Sequence, residues 1–252
     1  MTGEFAIYPS LKDSVFLVSG GASGIGRTIV EAAHGQGAKV AFLDIQKSEG
    51  EALAMALPGL VFLQCDVTDA DATARAVAKV RQKLGVIRVL INNAADDDRR
   101  APQDVTPGYW DQSMAVNLKH QFFLAQQVYP HMKELGGGSI VNFSSIAWRY
   151  GADDMIAYAT AKSAIVGLTR ALSRNYGPHN IRVNTIEPGA VMTEKQKRKW
   201  YPTQKQVDAI VSRQRIRKTL EPGEIARTVL FLASEDSRMI TGQTLIVDAG
   251  MS

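Results

Sequence analysis

Short apolar runs separated by helix-length segments recur along the whole chain, and this alternation restricts the fold more than any other feature. The runs are SVFLVS (14–19), KVAFLD, LVFLQC, RVLIN, GSIVNFS, IRVNTI and TLIVD. Between the first two lies IGRTIVEAAHGQG (25–37), whose apolar residues fall at helical spacing. A strand that is apolar on both faces has to be covered on both, and strands joined through helices pair in parallel. The pattern therefore predicts a doubly wound α/β sheet of seven parallel strands with helices on both faces. No linker, repeat or low-complexity tract interrupts the 252 residues, so a single domain spanning 1–252 is expected. In the stretch 190–220, Lys199, Trp200, Tyr201 and Pro202 replace clear periodicity. That is long for a plain connection, and a substrate lid is expected there.

Several function classes are disfavoured by charge and composition. The net charge of +4 comes from two local runs, KQKRK (195–199) and RQRIRK (213–218), which read as solvated helix faces. No aromatic-lined groove or recognition motif accompanies them, so no nucleic-acid role is expected. No apolar run reaches the length of a membrane span, and Tyr8-Pro9-Ser10 interrupts the apolar stretch that a cleavable signal would need. A soluble, cytoplasmic protein is expected. Cys65 is the single cysteine, which leaves no internal disulfide, and its apolar run suits a packed thiol. His34, His120, His131 and His179 are not spaced as metal ligands, so no metal site is expected.

The turn after the first run is SGGASGIG, with Gly20, Gly24 and Gly26 in G-x-x-x-G-x-G spacing. Glycines there permit a tight turn and let the backbone approach a pyrophosphate, held by the N-terminus of the helix that begins near Ile25 after Ser23. Such a turn can also do no more than pack a helix on a strand. The second strand ends at Asp44, about twenty residues on, where a carboxylate can accept from the adenosine ribose hydroxyls. It would repel a 2′-phosphate, and no Arg or Lys lies between Ser19 and Ser23 to offset that, so NAD is expected. Asp44 could equally cap the helix that follows. A Rossmann-type dinucleotide fold accommodates both.

Tyr158 and Lys162 stand four apart in AYATAKSAIVGLTRAL and share one helix face. A phenol with a pKa of about 10 is a poor base, but a nearby ammonium and a cationic nicotinamide favour phenolate. Ser145 ends the strand GSIVNFSS, where ligands of doubly wound sheets bind. With SGGASGIG, NNAA (92–95), Asn117 in MAVNL, YATAK, EPGAVMT (187–193) and TGQTLIVDAG, the chain resembles the short-chain dehydrogenase/reductases of Tyr-x-x-x-Lys type over nearly its whole length. By that resemblance Asp66 and Val67 flank the adenine, and Asn93, with Ala94 beside it, lies near the ribose. Pro188, Gly189, Val191 and Thr193 face the nicotinamide, and Asn117 supports a water path to Lys162. Ser145 then binds the substrate oxygen, Tyr158 takes the hydroxyl proton, and Lys162 holds the ribose and lowers the tyrosine pKa. Two departures are NNAA for the commoner NNAG, and Trp148 where many members have glycine.

For the substrate, the informative stretch is DDDRR (96–100), which leaves the fourth strand at the rim of the cleft. Asp96 and Asp97 with Arg99, and Trp148 and Arg149 at the same edge, suit a polyhydroxylated molecule, with Trp200 on the lid. The alternative is a solvated loop whose opposite charges pair with one another. NNAADDDRR, MAVNLKHQFF and KWYP resemble the sugar-oxidising branch of the family, the D-xylose 1-dehydrogenases in particular, which implies oxidation of an aldose at C1 to the lactone. A sugar-acid dehydrogenase whose carboxylate is held by Arg99, Arg100 or Arg149, a 3-oxoacyl carrier-protein reductase, and an NAD-binding regulator are the rivals. A serine hydrolase is disfavoured by the lack of G-x-S-x-G. The apolar helices 108–135 and 155–176 exceed what one sheet face needs, and relatives in the family associate through them, so a homotetramer is expected.

Overall fold

All five residues of β1 (Val15–Ser19) are buried, as befits a strand inside the sheet with neighbours on both sides. The computed structural model describes residues 6–252, so the part of the signal-peptide reading that concerns residues 1–5 lies outside the described residues. Beyond β1 come β2 (Lys39–Asp44), β3 (Val61–Gln64), β4 (Ile87–Asn92), β5 (Gly138–Phe143), β6 (Ile181–Pro188) and β7 (Thr244–Val247). All pair in parallel in the order β3-β2-β1-β4-β5-β6-β7. This is the Rossmann-type α/β sheet that the alternation predicts. The order reverses beside β1: the chain runs outward to β3 and returns on the other side as β4. Connections diverge there, and a crevice opens at the carboxyl ends of the strands.

Side chains alternate across the sheet with period two, and each face meets its own helices. On one face Phe16, Val18, Phe42 and Ile91 pack with α1 (Gly24–Gly35), α2 (Lys47–Ala56) and α10 (Pro222–Ala233). On the other, Leu17, Leu43 and Leu90 pack with α3 (Ala70–Leu84), α5 (His120–Glu134) and α7 (Ile156–Tyr176). The edge strands β3 and β7 are only partly covered, and Ile246 is exposed. The helix expected over 108–135 is interrupted: α4 (Pro107–Met114) passes through a π-helical turn, Ala115–Lys119, into α5. On α5 Phe122 is exposed and Leu124 buried, while on α7 Val166 and Leu168 are half-buried and Ile165 is fully covered. Of the remaining helices, α6 (Ala147–Tyr150) and α8 (Glu194–Lys199) contribute residues to the crevice wall, and α9 (Gln204–Arg213) follows outside it.

The turn between β1 and α1 requires glycine at two places. Gly20 has φ +68°, a left-handed conformation, and a Cβ there would stand 2.8 Å from Ala94 Cα. At Gly26 a Cβ would fall 1.9 Å from the Gly20 carbonyl oxygen. The helix can therefore begin directly against the turn only without a side chain at that point. Gly26→Ala is expected to lower stability by about 1–3 kcal/mol, the usual cost of overpacking, and to weaken dinucleotide binding. Denaturant titration alongside a cofactor-binding titration checks this, and an unchanged midpoint contradicts it.

Candidate active site

A cavity of about 1390 Å³ runs across the carboxyl ends of β1, β4, β5 and β6. At one end its wall is the glycine-rich turn with Gly20, Ser23, Gly24, Ile25 and Gly26. The first-turn amides of α1 have no partner inside the helix and present partial positive charge, as an anion requires. Asn93 fixes this turn: its Nδ2 donates to the carbonyls of Ser19 (3.1 Å) and Gly20 (2.9 Å). The Ser19 hydroxyl in turn accepts from the amides of Asn93 and Ala94, each at 3.1 Å. Asp44 is buried, and its Oδ2 accepts from the Ala22 amide at 2.9 Å while Oδ1 accepts from the Gln46 amide at 3.0 Å. It does not cap α2, whose N-cap is Gln46, so the capping role the sequence allowed is set aside. Asp66 and Val67 line the same end, with Asp66 Oδ1 accepting from the Thr68 amide and hydroxyl. These residues form a cradle fitting a dinucleotide: a left-handed glycine turn, free helix amides and a carboxylate at the end of β2.

Ser145, Tyr158 and Lys162 line the middle of the cavity, close to Pro188, Gly189, Val191 and Thr193 from the end of β6. The Thr193 hydroxyl accepts from the Gln196 amide and caps α8, and its methyl carbon is 3.4 Å from where a Cβ on Gly24 would lie. Ser145 Oγ accepts from the Ala147 amide at 3.1 Å. Lys162 is buried, donates from Nζ to the Phe143 carbonyl at 2.8 Å, and lies 5.5 Å from the Tyr158 ring centre. Burial lowers its pKa to about 7. Burial also raises the Tyr158 phenol, and the Asp97 carboxylate adds to that, while the Ser145 hydroxyl works in the opposite direction. The sequence suggests that Lys162 draws the tyrosine down. In this structure desolvation and the Asp97 carboxylate outweigh the Ser145 hydroxyl, so the phenol stays above its ordinary value.

Asn117 is fully buried in the π-helical turn. Its Oδ1 accepts from the Asp96 amide and its Nδ2 donates to the Asp96 carbonyl, both at 3.0 Å. The side chain thus clamps the backbone at the start of the DDDRR stretch, leaving only the main chain of Asn117 for the water path the resemblance implies. His120, three residues on, is buried as well, and burial together with the Lys162 charge pushes it down to about 3.

The charges of DDDRR meet a basic helix. Lys195 Nζ donates to Asp97 at 2.7 Å and reaches Asp96 at 3.5 Å, and Lys199 reaches Asp98 at 3.4 Å. Asp97 also accepts from Gln196 Nε2 (2.6 Å) and from the Trp200 indole (3.0 Å), while the Arg99 guanidinium stacks 3.8 Å over the Trp200 ring. Burial alone would raise Asp97; the Lys195 ammonium, Gln196 and Trp200 bring it below the usual carboxylate range. Burial works against the Lys195 ammonium, yet Asp97 and Asp96 raise it. The charges therefore do not pair only among themselves: Asp96, Asp97, Asp98 and Arg99 latch onto α8 and Trp200 at its end, while Arg100 pairs with Asp98 and lies over Tyr109.

Asp96, Asp97, Arg99, Ser145 and Tyr158 thus stand in the cavity wall as the sequence suggests. Trp148, Arg149 and Trp200, expected at the substrate, do not line it. The indole of Trp148 and the guanidinium of Arg149 turn inward to Glu187, and Trp200 packs between Asp97 and Arg99. Three residues at the site were not singled out from the sequence: Glu187, whose signal is a lone carboxylate in the strand run IRVNTIEP, and Lys195 and Gln196, whose signal is a basic run answering an acidic one. Tyr109, Gln112 and Met251 also line the cavity and carry no such signal.

Residues 20–252 match the family model described as enoyl-(acyl carrier protein) reductase. The chain is 44% identical over 256 residues to a probable galactose dehydrogenase of Rhizobium meliloti (strain 1021), covering 100% of both chains. It is 43% identical over 249 residues to a D-xylose 1-dehydrogenase of Caulobacter vibrioides, covering 97% of this chain and 98% of that one. An NAD-dependent glycerol dehydrogenase of Listeria innocua is 34% identical over 243 residues, covering 96% of this chain and 94% of that one. The chain belongs to the short-chain dehydrogenase/reductase family, oxidoreductases acting on CH–OH groups.

The latch has a defined pH window. The Asp97 pKa is lowered on folding, so its contribution is present above the ordinary 3.8 and is lost as pH falls through the folded value. The Lys195 pKa is raised, so its contribution is complete below the ordinary 10.5 and is lost as pH rises through the folded value. Between these limits, a double-mutant cycle with Asp97→Ala and Lys195→Ala, read on kcat/KM for the best substrate, is expected to show coupling of about 1 kcal/mol. That figure is discounted because Lys195 is half exposed to solvent. Strict additivity would contradict the latch.

Proposed function

We propose that this chain is an NAD-dependent sugar dehydrogenase that oxidises an aldose at C1 to the aldonolactone, with Tyr158 as general base. The observation that carries this reading is the convergence of Ser145, Tyr158 and Lys162 in one cavity with the glycine-rich cradle and the Asp44 carboxylate. Ser145 binds the substrate oxygen, Tyr158 accepts the hydroxyl proton, and Lys162 holds the ribose side and the tyrosine. Bound NAD would supply the hydride acceptor. Asp66 and Val67 flank the adenine, Asn93 and Ala94 the ribose, and Pro188, Gly189, Val191 and Thr193 the nicotinamide. Asn117 contributes its main chain to proton exchange with solvent.

Asp44 supports NAD over NADP, because a 2′-phosphate beside a buried carboxylate meets like-charge repulsion. One relative bears the name NAD-dependent glycerol dehydrogenase. The names of two others, a probable galactose dehydrogenase and a D-xylose 1-dehydrogenase, support a sugar. A neutral aldose is favoured over a sugar acid by what the arginines do. Arg149 is committed to Glu187, Arg100 lies against Asp98 and Tyr109, and Arg99, the one in the cavity wall, stacks on Trp200. Asp96 in the wall suits hydroxyl donors. A carrier-bound acyl chain would want an apolar groove where these charges stand.

We place the enzyme in the cytoplasm as a homotetramer joined through α4–α5 and α7, which the exposed Phe122 and Ile156 support. No helix among the described residues is long and apolar enough to cross a membrane. A monomeric mass in light scattering would remove the assembly from this proposal.

A spectrophotometric panel of aldoses, sugar acids and simple alcohols, with NAD and with NADP, tests the reading. The expected result is highest kcat/KM for a neutral aldose with NAD, at least about tenfold above NADP, with Tyr158→Phe losing about 10²-fold or more in kcat. Preference for a sugar acid, preference for NADP, or near-native turnover by Tyr158→Phe would each overturn the corresponding part.

A further inference from the structure

Glu187 lies near the carboxyl end of β6 with its carboxylate wholly enclosed. A carboxylate tolerates such burial only when donors are aimed at it. Oε1 accepts from the Trp148 indole Nε1 at 3.0 Å, and Oε2 accepts from Arg149 Nε. The Ser144 hydroxyl, whose one proton goes to the Lys162 carbonyl at 2.6 Å, lies 3.4 Å from Oε1. These partners bracket Ser145 in the chain: Ser144 precedes it, and Trp148 and Arg149 follow. Main-chain bonds tie the same segment to β6, from the Ser144 amide to the Ile186 carbonyl (2.9 Å) and from the Ile146 amide to the Pro188 carbonyl (3.2 Å). Through Ser144 and Lys162 the contact also reaches α7, which carries Tyr158. Glu187, Trp148 and Arg149 stay out of the cavity wall.

We propose that Glu187 is a positioning residue for the reaction: by gripping Trp148 and Arg149 it fixes the 144–149 segment so that the Ser145 hydroxyl stands against Tyr158 and the substrate oxygen. This rests on the reading of Ser145 and Tyr158 given above. The groups acting on Tyr158 are Asp97 and Asp96 from the loop after β4, Tyr150 from α6, and Ser145, with Lys162 on its own helix. Of Asp97, Asp96, Tyr150 and Ser145, only the Ser145 hydroxyl favours the phenolate, so a displaced Ser145 raises the pH at which Tyr158 can accept a proton.

The test replaces the carboxylate by its amide. Glu187→Gln keeps size and an acceptor for Trp148 but removes the charge facing Arg149. The expected result is a loss of about tenfold or more in kcat at neutral pH, and a shift of the rising limb of the kcat/KM–pH profile upward by about one unit. NAD affinity, read by fluorescence titration, should stay within about twofold, because the cradle between β1 and α1 is held by Asn93 and Asp44. Trp148→Phe, which deletes one donor, should shift the limb less in the same direction. Arg149→Met should behave like Glu187→Gln, and Arg149→Lys, which restores the cation, should recover much of the loss. An unmoved limb in Glu187→Gln overturns the proposal, as does a fall in NAD affinity parallel to that in kcat. If Glu187→Gln does not fold, the Arg149 pair decides: equal effects of Met and Lys, or an unmoved limb in both, overturn it. The two readings fail separately. An active Tyr158→Phe removes the general base and this inference with it, whereas an inactive Tyr158→Phe beside an unmoved limb removes this inference alone.

Discussion

Much of the site depends on how closely the chain can pass itself at the reversal beside β1. There the β1–α1 turn and the end of β4 have to meet without a side chain between them. Gly20 and Gly26 allow that approach, and Asn93 and Ser19 secure it with four hydrogen bonds between backbone and side chain. Because the turn is fixed from the β4 side, its amides open into the same cavity into which β5 delivers Ser145 and α7 delivers Tyr158 and Lys162. Asp44 braces the turn from the β2 side through Ala22. The carboxylate that would discriminate between cofactors is thus also part of the scaffold holding the cradle.

Buried and half-buried charge organises the rest of the site. Asp97 and Glu187 are carboxylates withdrawn from water, and each is satisfied by an indole N–H and a cation. They act on different segments. Asp97 draws α8 over the cleft, and Glu187 draws α6 onto β6 behind Ser145. The DDDRR stretch leaves a buried strand straight into charge because its partner, the basic run in α8, lies across the opening. Removing one member of such a pair leaves an uncompensated charge, which is why these contacts hold geometry more firmly than their number suggests.

The seven strands, the helices between them and the position of the cofactor turn were legible because period-two and helical spacing reflect one-dimensional burial. The trio Ser145, Tyr158 and Lys162 was legible because strand end and helix face fix where those side chains point. Trp148 and Arg149 were misplaced for the opposite reason. Chain proximity put them at the rim, but their direction is set by Glu187, about forty residues away on β6, and a buried acceptor on another strand leaves no local periodicity. Spacing likewise shows the ammonium beside the phenol but not the desolvation that raises one group and lowers the other. The basic run at 195–199 is exposed as the sequence suggests, but two of its lysines also meet counter-charges that stand a hundred residues earlier in the chain.

In the proposed reaction the dinucleotide cradle holds the acceptor of hydride from the same carbon whose hydroxyl proton Tyr158 takes. Following deuterium from C1 of an aldose tests this most directly, with mass spectrometry of the reduced nicotinamide and NMR of the sugar product. The label is expected to move from C1 to the nicotinamide ring, and a lactone to form first, before any open-chain acid. Label retained in the sugar product would contradict oxidation at C1 and with it the substrate assignment.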